Sequence, residues 1–320
     1  MHKRNERRAV AAGLLFAVVV GFAFIANKEA LVDGGVYDVL AYRFLFALAA
    51  LPPVLKVAGE SLRIKRRDIP AMFLLCASYV LFLYFQLLGL LTCSTIIGAI
   101  FFATSPVFIA LFAIPMLHER LGLVGSVAVL VGAGAVIAMV SAGSGAKDMT
   151  LAGALFLGVS TLLNALYSVW SRQFRVKFSP VVIAGWLIVA GSVFFSILLL
   201  ADHIRTGSVA DYFVPLTSLR FFLSSAYLGI GCILLSSLTI TYAFRILPAA
   251  RASVFNNIST VISILAGGLL LHEPLTSLHI VCAVLVIGAA FVLNHLDTVP
   301  RQAVETDAED VYNSRGGTAA

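Results

Sequence analysis

Long apolar stretches separated by short polar joints run along most of this 320-residue chain. No Asp, Glu, Lys or Arg occurs at 9–27, 69–118, 121–146, 149–171, 178–201, 221–244, 252–272 or 275–296. Each stretch approaches or exceeds the roughly 20 residues that a membrane-crossing helix needs. The second is long enough for two crossings, with a turn near 92–95, and a further apolar span near 36–55 contains Arg43. The pattern therefore predicts ten spans, at 9–27, 36–55, 71–91, 95–117, 122–141, 151–171, 180–201, 222–244, 248–271 and 276–295. Within them apolar residues run on continuously and are rich in Leu, Ala, Val and Gly. Strands of a membrane barrel alternate instead, so the expected fold class is all-α integral membrane.

Composition agrees with that pattern. Hydrophobic residues make up 60% of the chain and charged residues 12%, where soluble domains carry about 25% charged residues. The formal charge of +6 does not point to nucleic acid, because the basic residues flank the spans. Loops on the cytoplasmic side of a membrane collect Lys and Arg. With the N-terminus inside, ten spans place Lys28, Lys147, Arg205 and Arg220 outside and Arg43 within a span. The other 17 of the 22 basic residues then lie inside. That bias predicts cytoplasmic N- and C-termini and a multi-pass protein of the cytoplasmic membrane. The first apolar run is longer than the roughly 7–15 residues of a signal peptide and ends in no A-x-A site, so it reads as a retained helix. Cys76, Cys93, Cys232 and Cys282 lie in or beside apolar spans without a C-x-x-C pair and read as small hydrophobic residues rather than disulfides or metal ligands.

The chain also repeats itself. At an offset of 154, Leu117-His118-Glu119-Arg120-Leu121 matches Leu271-His272-Glu273-Pro274-Leu275, and Ser105, Gly134 and Ala135 match Ser259, Gly288 and Ala289. In each copy an apolar span ends in Leu-His-Glu and another follows at once. Five spans per copy is an odd number, so the copies cross the bilayer in opposite directions. Inverted repeats of this kind build many secondary transporters, with a site near the midplane between the halves. The expected organisation is a basic cytoplasmic tail at 1–8, a first repeat at 9–141, an outside linker at 142–150, a second repeat at 151–296 and a disordered cytoplasmic tail at 297–320. Glu119 and Glu273 are expected to cap the helix that follows each of them, where a carboxylate meets free backbone N–H groups. Neither joint is a His-Glu-x-x-His zinc motif, since Gly122 and Thr276 stand at the second His position.

At these residues the chain resembles the EamA-type transporters of the drug/metabolite transporter superfamily. The resemblance rests on Arg43-Phe44-Leu45-Phe46-Ala47 in the second span and Ser105-Pro106-Val107-Phe108 in the fourth. It rests also on a Glu-x-Leu joint before a Gly-containing span in each half, Glu119-Arg120-Leu121 with Gly132 and Gly134, and Glu273-Pro274-Leu275 with Gly288. It covers about residues 9–296. It implies two five-helix halves and solute transport, and it names no solute. The second half has Thr260 where the first has Pro106. Small multidrug-resistance relatives carry an acidic residue in their first helix. None occurs at 9–27, so proton coupling through such a group is not carried over.

Polar groups inside a bilayer face a cavity or another helix. Arg43 lies about seven residues into its span, hence roughly 10 Å deep at 1.5 Å per residue. It would hold an anionic group of a substrate, or else snorkel or bind helix-end carbonyls. Asn27 ends the first span. Tyr79 and Gln86 are seven apart on one face of the third. Asn164, Tyr167 and Ser168, with Trp170 beside them, form a stripe on the sixth, and Asn256 and Ser259 begin one on the ninth. These ten are the candidate solute-binding residues, and the stripes serve equally as interhelical hydrogen bonds. No catalytic set, cofactor or metal site is expected. The function expected is a secondary transporter, an exporter or exchanger of a small organic metabolite such as an amino acid. The alternative is a channel or a non-transporting scaffold or receptor. The partners expected are the solute and the lipid bilayer, without nucleic acid, and a homodimer is left open.

Overall fold

In a computed structural model, residues 2–117, 122–143, 149–174, 177–247 and 249–296 are described. The proposed C-terminal tail at 297–320, most of the linker and the Glu119 joint lie outside them. The helices are α1 (His2–Gly21), α2 (Ala23–Asp33), α3 (Val36–Ala58), α4 (Ile69–Thr92), α5 (Thr95–Ala103), α6 (Ser105–Leu117), α7 (Leu123–Gly143), α8 (Leu151–Phe174) and α9 (Pro180–Thr206). After them come α10 (Leu219–Ala226), a π-helical segment (Tyr227–Leu235), α11 (Ser236–Ile246), α12 (Ala249–Leu270) and α13 (Ser277–Leu296). Eight segments are long and apolar enough to cross a membrane, and two shorter apolar helices, Val254–Leu270 and Ser277–Leu293, follow them. The first crossing runs on to Asp33, past the expected end at 27, so Asn27 and Lys28 sit within a helix.

Local chemistry sets where the helices stop and break. Ser94, Ser179 and Ser218 each accept a backbone N–H from the residue three positions on, which starts α5, α9 and α10. Gly59 and Gly207 end α3 and α9 with φ of 65° and 71°, a conformation that costs glycine little. The fourth crossing breaks at Thr104 into α5 and α6. Pro106 has no N–H to give the Phe102 carbonyl, which accepts the Ser105 hydroxyl at 2.6 Å instead. Thr104 and Thr161 donate to the Phe101 carbonyl at 2.6 and 3.3 Å. The first crossing breaks at Phe22. There the Val19 carbonyl accepts from the Tyr227 hydroxyl at 2.7 Å and from the Cys232 thiol at 3.4 Å, and the Gly21 carbonyl accepts from Ser263 at 2.7 Å.

Packing respects the repeat. The pairs α3 with α9, α5 with α12 and α7 with α13 each join corresponding helices of the two halves. The pair α4 with α8 is mirrored by the end of the eighth crossing, α11, with α1, and α6 with α8 by α12 with α1. These pairs map onto one another when the halves are exchanged, although α13 also packs on α5 and α6 where α7 has no comparable packing on α12.

The joints gather on two sides. On one side the linker's Thr150 N–H donates to the Thr92 carbonyl, and Ser218 donates to Asp33 at 2.6 Å. On the other, Trp186 donates to the Leu62 carbonyl at 3.0 Å, and Lys177 pairs with Asp68 at 3.7 Å.

Candidate functional site

Four of the ten candidate residues come together. Arg43 on α3 is 4% exposed and Asn27 on α2 is 3% exposed. The Arg43 Nη1 donates to Asn27 Oδ1 at 3.3 Å. Tyr79 on α4 interacts electrostatically with Arg43, and its ring lies 5.0 Å from that of Tyr167 on α8. The cluster therefore draws on three helices of the first half and one of the second. The Tyr79 ring also meets Phe82 at 5.8 Å, which stacks on Phe102 at 6.2 Å, so an aromatic wall adjoins the polar groups.

The arginine is positioned by an unusual neighbour. Its backbone packs on Gly229 within the π-helical segment, where an added Cβ would collide with the Arg43 carbonyl oxygen. The π-helix widens the turn, and such segments gather at functional sites. It also carries Cys232 toward Arg43 and the Val19 carbonyl. Sequence reasoning missed Tyr227, Gly229 and Cys232. The run Tyr227-Leu228-Gly229-Ile230-Gly231 reads as ordinary apolar helix, and its two nearby glycines were the one available hint.

The remaining candidates lie apart from that core. Gln86 is buried on α4, without a hydrogen bond to the cluster among the described residues. Asn164 Nδ2 donates to Ser105 Oγ at 3.0 Å, tying α8 to the break in the fourth crossing. Ser168 bonds back to the Asn164 carbonyl at 2.8 Å. Trp170 packs beside Tyr79 and Tyr167 on a cluster built from Met72, Leu75, Val182 and Leu187. On α12, Ser259 is buried and donates to the carbonyl of Asn256 at 2.7 Å, while the Asn256 side chain is exposed. A separate cavity of about 200 Å³ lies two turns along α3, between Leu51, Val54, Pro180, Ala184, Leu234 and Thr241.

Glu273 does cap a helix, but not the one that follows it. Its two carboxylate oxygens accept the N–H groups of Thr95 and Ile96 at 2.7 and 3.0 Å, at the start of α5 in the other half. The cause is local. His272 adopts φ 52°, a left-handed turn that ends α12, and the Glu273 N–H returns to the Gly267 carbonyl at 3.2 Å. The side chain is thereby turned onto α5, and Lys28 lies within its electrostatic reach. Cys76, Cys93, Cys232 and Cys282 form no disulfide.

Known proteins bear on this architecture. The model of the EamA-like transporter family matches twice, over residues 7–141 and 151–295. The uncharacterized transporter YcxC of Bacillus subtilis is 30% identical over 286 residues, covering 89% of this chain and 92% of that protein. An uncharacterized transporter of Archaeoglobus fulgidus is 27% identical, covering 80% of this chain and 87% of its own. A protein of known crystal structure, 19% identical, shares the fold with a TM-score of 0.62 over 90% of this chain and 96% of its own. Two matches in tandem account for nearly all of the described helices, and the chain belongs to the EamA-like transporter family.

Proposed function

We propose that this membrane transporter is a secondary carrier that exports or exchanges a small organic metabolite, such as an amino acid or a related compound. Ten spans, arranged as two inverted five-helix repeats, rock about a site built from Asn27, Arg43, Tyr79 and Tyr167. Both termini face the cytoplasm. The observation that carries this reading is the buried polar cluster, drawn from both halves and placed where broken helices expose backbone carbonyls. Buried polar groups of this kind are costly in a bilayer and mark solute pathways. The gathering of the joints on two sides supports the alternation that ten crossings require.

The test is a thermal-shift screen of the detergent-purified protein against amino acids, nucleosides, sugars, polyamines and organic acids, followed by flux into liposomes with each hit. A ligand at 100 times its Kd adds about 2.7 kcal/mol to the folded state. A saturable flux of a hit compound is expected. Hits without flux would favour a receptor, and linear, unsaturable flux would favour a channel.

A further inference from the structure

The charge on Arg43 has no counterpart. Among the described residues the fully buried polar set contains this one guanidinium and no Asp or Glu. No described carboxylate forms an ion pair with it, and its Nε is buried without a hydrogen-bond partner. Among the described residues, the polar side chains within its hydrogen-bond or electrostatic reach are the Asn27 amide, the Tyr79 phenol and the Cys232 thiol, none of them a carboxylate. Snorkelling is ruled out by an exposure of 4%.

A structural arginine in such a place would normally fill its donors with carbonyls or a carboxylate, because a buried unpaired charge is strongly unfavourable. Guanidinium binds carboxylate through two parallel N–H···O bonds, and an unpaired Nε–H is one half of such a fork. The aromatic wall of Tyr79, Phe82 and Tyr167 beside it suits an apolar body. Among the described residues no buried Asp or Glu stands there to hold an ammonium group.

On these grounds, and resting on the carrier reading above, we infer that Arg43 is the receptor for a solute carboxylate, so that the carrier's substrates are organic anions with an apolar body rather than amines or uncharged compounds. The bound anion supplies the missing counter-charge. The empty site is the less stable one, so the arginine is kept at a cost in stability.

The test uses four probes with one isobutyl body: 4-methylpentanoate, its amide, isopentylamine and leucine. Melting midpoints of the full-length protein in detergent are read for wild type, Arg43→Met and Arg43→Lys, with sodium chloride at matched concentration as the control for an inorganic anion. The expected result has two parts. First, 4-methylpentanoate raises the wild-type midpoint by about 5 °C near saturation, while the amide, the amine and chloride do not. The shift is lost in Arg43→Met and reduced in Arg43→Lys. Leucine, whose ammonium group meets no described carboxylate there, gives a smaller Arg43-dependent shift than 4-methylpentanoate.

Second, ligand-free Arg43→Met melts at or above the wild-type midpoint, since the uncompensated charge is gone. Failure of either part overturns the inference. An amide or amine shift that survives in Arg43→Met would leave a carrier of another substrate class. A chloride shift equal to that of the carboxylate would assign the site to a bound inorganic ion. A ligand-free midpoint well below wild type in Arg43→Met would make Arg43 a structural strut, and the liposome flux screen would still judge the carrier reading independently.

Discussion

A guanidinium within a bilayer needs a reason to stay, and around Arg43 the described side chains supply one hydrogen-bond acceptor, Asn27, and no carboxylate. Its placement was legible in the sequence, as a lone charge about two turns into an apolar span. Its neighbours were not, because contact between α2, α3, α4 and α8 is a property of packing rather than of spacing. Gly229 gives the sharpest residue-level prediction. An added Cβ would meet backbone, the Arg43 carbonyl oxygen and the Ala47 nitrogen at 3.0 Å, and neither can swing aside. Gly229→Ala should therefore destabilise the protein by about 1–3 kcal/mol or more. Gly268→Ala, which meets nothing within 4 Å, should leave the melting midpoint unchanged or slightly raised. Equal midpoints for the two variants would contradict the close approach of α3 to the π-helical segment. Asn164→Ala removes the 3.0 Å bond to Ser105. It should lower flux by about tenfold, the equivalent of about 1.4 kcal/mol, while membrane insertion stays normal in a fractionation assay.

The breaks in the helices separate what the sequence could say from what it could not. Pro106 and Thr260 occupy matching places in the two repeats. Where proline stands, the crossing divides into α5 and α6, and where threonine stands, α12 runs unbroken. That difference was readable from one residue. The break at Phe22 and the π-helical segment have no such marker, since neither contains proline. At the Phe22 break, side chains from other helices take over the freed carbonyls. Pro106→Ala restores an N–H for the Phe102 carbonyl. The variant should melt at or above the wild-type midpoint yet transport more slowly, because a straight helix loses the hinge. Faster flux in the variant would speak against a working hinge. The Glu273 cap was expected in kind and misplaced in partner. A periodicity argument assigns a carboxylate to the helix beside it in sequence, whereas the left-handed turn at His272 sends it across to α5. Glu273→Ala should cost about 1–2 kcal/mol in thermal melting, and Glu273→Gln less, since an amide oxygen still accepts one N–H. No loss in either variant would remove the cap from the account.

Across the whole molecule, the apolar pattern and the repeat at an offset of 154 carried most of the architecture. They foresaw two tandem halves, which the family model matches in turn, and α3 with α9, α5 with α12 and α7 with α13 pair corresponding helices across them. A paired repeat of that kind is what the rocking carrier proposed above would use. The charge bias on the loops makes a further prediction. In a background with the four native cysteines replaced, cysteines placed singly at Arg205 and Arg220 should be labelled by an impermeant maleimide from outside intact cells, and one at Arg66 should not. Labelling at Arg66 from outside would invert the topology. The solute and its direction had no counterpart in the sequence pattern, because the stripes on α8 and α12 turned largely to bonds within and between helices.

The most direct test of a carrier that alternates between two faces is counterflow. Liposomes containing the purified protein are loaded with an unlabelled hit compound, diluted, and given a trace of the same compound labelled outside. Alternating access predicts transient accumulation of label above its outside concentration, faster than in unloaded liposomes and abolished in Arg43→Met. Label that enters at the same rate whatever the liposomes contain, and never exceeds the outside concentration, would contradict it.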